Sequence, residues 1–242
     1  MSAKFEEIDR RQTPMGEISL RRRLEPSLQV DVYEVKLGEE FLMSSLFTVG
    51  ETELAKLALS RVRGSDLDIV VGGLGLGYTA RAVLDDPRVR SLHVVEALGE
   101  VIEWHRHDLL PLAVPLTSDP RCHLVNGDFF AWAAGRSHVG PFAPSMCHAV
   151  LVDIDHTPRH LLHSDHAPFY ERDGLRCLAG RLHPGGVFAL WSDDPPDGDF
   201  VAVLDDAFAS CEAHVVTFPN FNTDGEASST VYVAEEAQSP KA

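Results

Sequence analysis

The stretch Asp68-Ile-Val-Val-Gly-Gly-Leu-Gly-Leu-Gly-Tyr-Thr-Ala-Arg-Ala-Val-Leu84 decides the fold. An apolar run, Ile69 to Val71, enters four glycines at Gly72, Gly73, Gly75 and Gly77. A helical pattern through Ala80, Val83 and Leu84 follows, and Asp85-Asp86-Pro87 ends it. Strand, glycine turn and helix in that order let backbone N–H groups come close to a nucleotide-like ligand. Glycine serves there because a Cβ would block the approach and because the turn demands positive φ. The turn alone is equally consistent with a tight strand–helix corner, so the next strand decides. Ser91-Leu-His-Val-Val-Glu96 ends on an acid 19 residues after Gly77. A carboxylate at that strand tip is placed to accept hydrogen bonds from both ribose hydroxyls. The two features together predict a nucleoside site.

Outward from this core the chain keeps a strand–helix rhythm. Gly99 to His107 reads as a helix with Val101, Ile102 and Trp104 buried, Leu109 to Pro115 as an apolar loop, and Arg121 to Val125 as a third strand. Pro141 to Pro144 reads as a loop, and His148 to Ile154 is an apolar run of the buried parallel type. Pro168 to Arg181 reads as a helix, His183-Pro-Gly-Gly186 as a turn, and Val187 to Trp191 as a fifth strand. A helix over Phe200 to Ser210 precedes strands at Ala213–Phe218 and Ser229–Val233. Upstream, Ile18–Arg23, Leu28–Val35 and Glu40–Met43 are short β-like runs separated by turn residues. Thr48-Val-Gly-Glu51 has capping-box form before Leu54, Leu57, Ala58 and Val62 at helical spacing. The expected fold is therefore α/β: a doubly wound, Rossmann-like, seven-stranded and mostly parallel sheet with a C-terminal antiparallel hairpin. Its expected divisions are a disordered 1–14, a small β extension over 15–47, the main domain over 48–234 and a disordered tail over 235–242.

Composition narrows the class of partner. Of 242 residues, 21 are Lys or Arg and 37 are Asp or Glu, a formal charge of −16. That balance argues against a phosphate-backbone partner and suits a small or cationic one. Neither a membrane span nor a signal-peptide core is evident, and Cys122, Cys147, Cys177 and Cys211 form no C-x-x-C pair. A reduced, cytoplasmic protein with no nucleic-acid or membrane partner is the expectation.

In their order and spacing these residues resemble the class I S-adenosylmethionine-dependent transferases, and most closely their spermidine-synthase-like branch. The likeness runs from about Gly38 to Val233. Gly72-Gly-Leu-Gly-Leu-Gly77 looks like the nucleoside glycine loop, and Val95-Glu96-Ala97 begins the ribose-binding segment. Asn126-Gly127-Asp128-Phe129 looks like the segment whose aspartate meets the adenine amino group, and Val152-Asp153-Ile-Asp155 like the fourth-strand acidic motif. The resemblance implies S-adenosyl-L-methionine, or its decarboxylated form, as cofactor, a small-molecule acceptor and a homodimer. Two departures bear on the reaction. The branch has an aspartate within its glycine loop where this chain has Gly75, and an Asp-x-x-Asp-Pro motif where this chain reads Asp153-Ile-Asp155-His156-Thr-Pro158. A loop carboxylate would repel the carboxylate of an intact methionine tail. Its absence leaves loop N–H groups to receive that tail, which ranks methyl transfer first. Aminopropyl transfer from the decarboxylated cofactor is the alternative, and a non-catalytic nucleoside-binding protein a second one.

The candidate catalytic groups are Asp153, Asp155 and His156. Asp153 ends the central strand, where open α/β sheets bind ligands, and an unpaired buried carboxylate there would be costly without a purpose. Period-2 spacing predicts Asp153 and Asp155 on one side of the chain, orienting and deprotonating an amine or hydroxyl. Asp128 has a competing reading as a helix N-cap. His156, His160, His163 and His166 would offer a metal site only on a continuous helix, which Pro158 opposes, so no metal is expected. Trp191-Ser-Asp-Asp-Pro-Pro is expected to line the acceptor side, with Trp191 equally readable as core.

Overall fold

The structure, a computed structural model, describes residues 5–136, 144–221, 223 and 225–237. The start of the expected disordered leader (1–4), most of the Pro141–Pro144 loop and the end of the tail (238–242) lie outside the described residues. Seven strands form one sheet in the order β10-β11-β9-β8-β5-β6-β7. They are β5 (Leu67–Gly72), β6 (Val89–Glu96), β7 (Cys122–Asn126), β8 (Cys147–Val152), β9 (Leu182–Ser192), β10 (Ser210–Asn220) and β11 (Gly225–Glu235). The five from β9 to β7 are parallel, β11 runs antiparallel to β9, and β10 closes the hairpin. From β5 the chain winds outward through β6 and β7, then returns to β8 on the other side. The crevice beyond the carboxyl ends of β5 and β8 is therefore the topological switch point. Gly72 and Val152 are register partners there.

Alternation along β5 shows why the sheet is covered on both faces. Ile69 and Val71 pack with the helices α1 (Val49–Arg61), α2 (Tyr78–Leu84), α3 (Gly99–Arg106) and α4 (Ala113–Thr117). Val70 faces the other way, toward α5 (Phe129–Ala133), α6 (Arg172–Ala179) and α7 (Gly198–Ala207). Successive side chains of a strand point to opposite faces, so an unbroken apolar run needs two layers of cover. Among the described residues no helix is long and apolar enough to cross a membrane.

A separate four-stranded antiparallel sheet, β1 (Phe5–Thr13), β2 (Gly16–Glu25), β3 (Val30–Leu37) and β4 (Glu40–Ser44), precedes α1. Three of its strands are those expected, but β1 corrects the expectation of a disordered 1–14. Its charged residues misled the reading because they serve as cross-strand and tertiary partners. Asp9 Oδ2 accepts from the Trp104 indole at 2.7 Å and from Arg11 at 2.7 Å. Ile18, Leu20, Val35 and Leu37 join the same core as α1 and α2, so the small sheet is fused to the main one.

Other boundaries shift for local reasons. The expected Leu109–Pro115 loop gives way to α4 at Ala113, with Pro115 in its first turn. The expected Pro168–Arg181 helix divides into a 3₁₀ turn over Ser164–Tyr170 and α6. The His183–Gly186 turn is absorbed into β9, where Gly185 at φ +76° and a register shift mark a bulge. Glu235 ends β11, so the expected tail begins inside a strand. Thr48 precedes α1 without a side-chain cap, which corrects the capping-box reading and leaves Glu51 free to point elsewhere.

Candidate active site

At the switch point a cavity of about 1140 Å³ opens between the glycine loop, the N-terminal sheet, α1 and the end of the C-terminal hairpin. The glycine loop and the end of β8 meet closely. Gly73 stands at φ +93°, and a Cβ there would lie 2.1 Å from the Asp153 carbonyl oxygen. The Asp153 N–H donates to the Gly72 carbonyl at 2.9 Å, so the turn and the acid are pinned together. Gly75, at φ +47°, lies under Met43 of β4, whose Sδ would be 2.6 Å from an added Cβ. The N-terminal sheet thus occupies the space into which a loop side chain would project.

The loop's amides are largely engaged within the protein. Gly73 N–H donates to Val95 O, and Gly77 N–H to Leu74 O, each at 2.9 Å. Glu96 accepts from Leu74 N–H through Oε2 and from Leu98 N–H through Oε1, both at 2.9 Å, with the Gly75 and Ala97 amides adding support. Burial pushes the Glu96 carboxyl up in pKa, opposed by these donors. The residue therefore buttresses the glycine loop.

Asp153 borders the cavity, with the Thr79 hydroxyl donating to its Oδ2 at 2.7 Å. Burial raises its pKa and the Thr79 hydrogen bond lowers it, with burial the larger effect. The residue that the sequence reading missed is Glu51. Its carboxyl also borders the cavity, and burial, reinforced by the Asp153 charge, pushes it up to about 8. A signal was present, because Glu51 falls at helical spacing from Leu54, Ala55 and Ala58, all buried. It lies on the apolar face of α1, where an unpaired acid is costly. Two carboxylates thus share one apolar chamber. Gly50 beside them allows the Trp191 indole to close in, since a Cβ would lie 2.4 Å from Nε1.

Asp155 is placed otherwise than expected. Strand β8 ends at Val152, so the period-2 argument no longer applies, and the two acids do not share a face. The Asp155 side chain has no exposed surface. It accepts from Leu162 N–H and Tyr170 Oη–H at 2.7 Å each and lies 2.9 Å from His166 Nδ1. It fixes the segment over 162–170 against the body of the domain. His166 in turn stacks on Phe130, with ring centroids 3.9 Å apart, and borders the cavity. His156 borders it as well, with Nε2 3.1 Å from Glu40 Oε1. His156, His160 and His163 share no helix face, because Thr157 and His160 pair as an isolated bridge. Among the described residues no group of three His, Cys, Asp or Glu is arranged to hold a metal ion.

Of the remaining expected cofactor residues, Gly73, Gly75, Gly77, Glu96, Ala97, Asp128 and Phe129 border the cavity. Gly72 lies behind it, with Phe129 against its Cα, and Gly127 donates its N–H to Glu96 O. Asp128 caps α5 by accepting from Ala131 N–H at 2.9 Å. This cap and the expected nucleoside contact are separable. Asp128→Asn retains a carbonyl acceptor, so thermal stability should hold while nucleoside affinity falls. Asp128→Ala should also lose about 1 kcal/mol of stability. Paired melting curves and nucleoside titrations of the two variants make the comparison.

No family model matches the chain. Over 164 residues, 64% of this chain, it is 30% identical to polyamine aminopropyltransferase 2 of Pseudomonas aeruginosa, covering 43% of that protein. The chain thus spans less than half the length of that relative. Among solved structures, a spermidine synthase in complex with the transition-state analogue AdoDATO superposes with a TM-score of 0.73 at 17% identity. That match covers 97% of this chain and 75% of the other. Spermidine synthase from Thermotoga maritima gives 0.72 at 16%, covering 97% and 73%. The chain has the fold of the spermidine synthases.

Proposed function

We propose that this chain transfers an aminopropyl group from decarboxylated S-adenosylmethionine to an amine. The observation that carries this reading is the state of the glycine loop together with the acids opposite it. The sequence ranked methyl transfer first on the premise that Gly75 leaves loop amides open to a methionine carboxylate. The amides of Gly73, Leu74 and Gly77 already have partners within the protein. An intact tail would bring a further carboxylate to Glu51 and Asp153, whose carboxyls already disfavour each other's ionised form. A tail ending only in an ammonium gains from them. The likeness to polyamine aminopropyltransferases supports the same choice.

In this reading the nucleoside lies along Glu96, Ala97 and the Asp128–Phe130 segment, which brings its sulfonium to the mouth of the glycine loop. The acceptor enters as an ammonium, held by Glu51 and Asp153, and gives a proton to the Asp153 carboxylate. The freed nitrogen lone pair then attacks the aminopropyl carbon bonded to sulfur. An N–C bond forms, the C–S bond breaks, and its electrons return to sulfur, which leaves as the neutral thioether methylthioadenosine. The protein's share is alignment and proton removal, since the sulfonium is already an activated leaving group.

Titration calorimetry with the two cofactors is the direct test. The decarboxylated form should bind at least about tenfold more tightly, the equivalent of one charge-assisted hydrogen bond. Tighter binding of the intact form would return methyl transfer to first place.

A further inference from the structure

We infer that the acceptor is a primary amine bearing an apolar or aromatic substituent, and not a short α,ω-diamine. This rests on the aminopropyl-transfer reading and specifies its second substrate. The cavity exceeds the ~300–1,000 Å³ usual for a single drug-sized ligand. There is room beyond a nucleoside, and the walls of that room decide what fills it.

Every cavity-lining residue contributed by the first 50 positions is uncharged. Ile18, Val35, Leu37, Phe41, Leu42 and Met43 of the N-terminal sheet form one wall. Phe47 and Phe218, with ring centroids 6.1 Å apart, and Trp191 stand at the sides. Of the cavity's enclosed acids, Glu51 and Asp153 meet at one end, while Glu96 is taken up by the Leu74 and Leu98 amides. A diamine anchored there would direct its second ammonium into an apolar gallery, at the cost of desolvating a charge without a partner. The loop after β8 offers no remedy. At the second aspartate position of the Asp-x-x-Asp-Pro pattern stands His156, whose Nε2 is taken up by Glu40 at 3.1 Å. Asp165 and Asp193 also border the cavity, but both are exposed at its mouth, where solvent screens them. An alkyl or aryl tail would bury against the gallery and gain with each methylene.

The test uses the full chain with decarboxylated S-adenosylmethionine and three acceptors: hexylamine, 2-phenylethylamine and putrescine. Release of methylthioadenosine is the readout. The apolar amines should exceed putrescine in kcat/KM by at least about tenfold. Phe41→Glu places a carboxylate in the gallery at a position 48% exposed, so the fold should tolerate it. It should narrow or reverse that ratio. Putrescine preferred by the native chain would overturn the acceptor inference and leave aminopropyl transfer standing. No thioether from any amine would overturn both. Methylation of hexylamine by the intact cofactor would overturn the proposed donor and support the acceptor class.

Discussion

Asp153→Asn is expected to lower kcat by about 10²–10⁴-fold, the range general-base removal produces, while nucleoside binding persists. The substitution is nearly isosteric, and its surroundings explain why the site should survive it. The backbone of Asp153 is held by the Gly72 carbonyl and packs against Gly73, neither of which involves the side chain. The Thr79 hydroxyl that donates to Oδ2 can donate to an amide oxygen as well. What an amide cannot do is take up a proton from the acceptor ammonium. Turnover followed by thioether release, alongside calorimetry with the decarboxylated cofactor, separates the chemical step from binding. Undiminished turnover would remove Asp153 as the base and direct attention to His156 on the same cavity.

Glu51→Gln is expected to reduce kcat/KM for the amine about 10–100-fold, because a charge-assisted hydrogen bond to the ammonium is lost. It should also change how stability depends on pH. The folded pKa of Glu51 is raised from 4.5 to about 8, so between those values the native carboxyl keeps a proton that the unfolded chain has released. Where the native state binds more protons, stability falls as pH rises. Glu51's contribution is therefore full below about pH 4.5 and lost as pH climbs through about 8. Melting curves at pH about 5 and about 8 should show the native chain losing several degrees, at ~2–4 °C per kcal/mol for a chain of this size. The glutamine variant should lose distinctly less. A bound ammonium favours the ionised pair, so an amine ligand should stabilise the native chain more at the higher pH. An unchanged pH profile in the variant would show that Glu51 is already ionised and solvated in the folded state.

Much of the site was legible because its signals are local. The glycine loop, the acid at the end of β6 and the Asn126–Phe129 corner are each set by residues adjacent in sequence, and their spacing follows from the geometry of one βαβ unit. Local rules also explain the misreadings. Charge density along 5–13 looked like disorder until Trp104, some 95 positions away, supplied a partner for Asp9. Glu51 satisfied a capping pattern, yet its helical phase with Leu54 and Ala58 set it on the buried face. Asp155 satisfied the strand period, but the strand had already ended at Val152.

The sequence by itself determined the succession of strands in the main sheet and the glycine loop, strand-end acid and Asp128–Phe129 corner that border the switch-point cavity. Hydrophobic period, glycine placement and turn chemistry are properties of contiguous residues. Only the tertiary structure decided which acids act together and which amides remain free. Glu51 and Asp153 are 102 positions apart and interact because α1 packs across the end of β8. Glu96 engages the loop amides because β6 lies beside β5 in parallel register, and Met43 covers Gly75 because a separate sheet folds over the crevice. Charge repulsion and hydrogen-bond occupancy act over a few ångströms of space, whatever the separation along the chain.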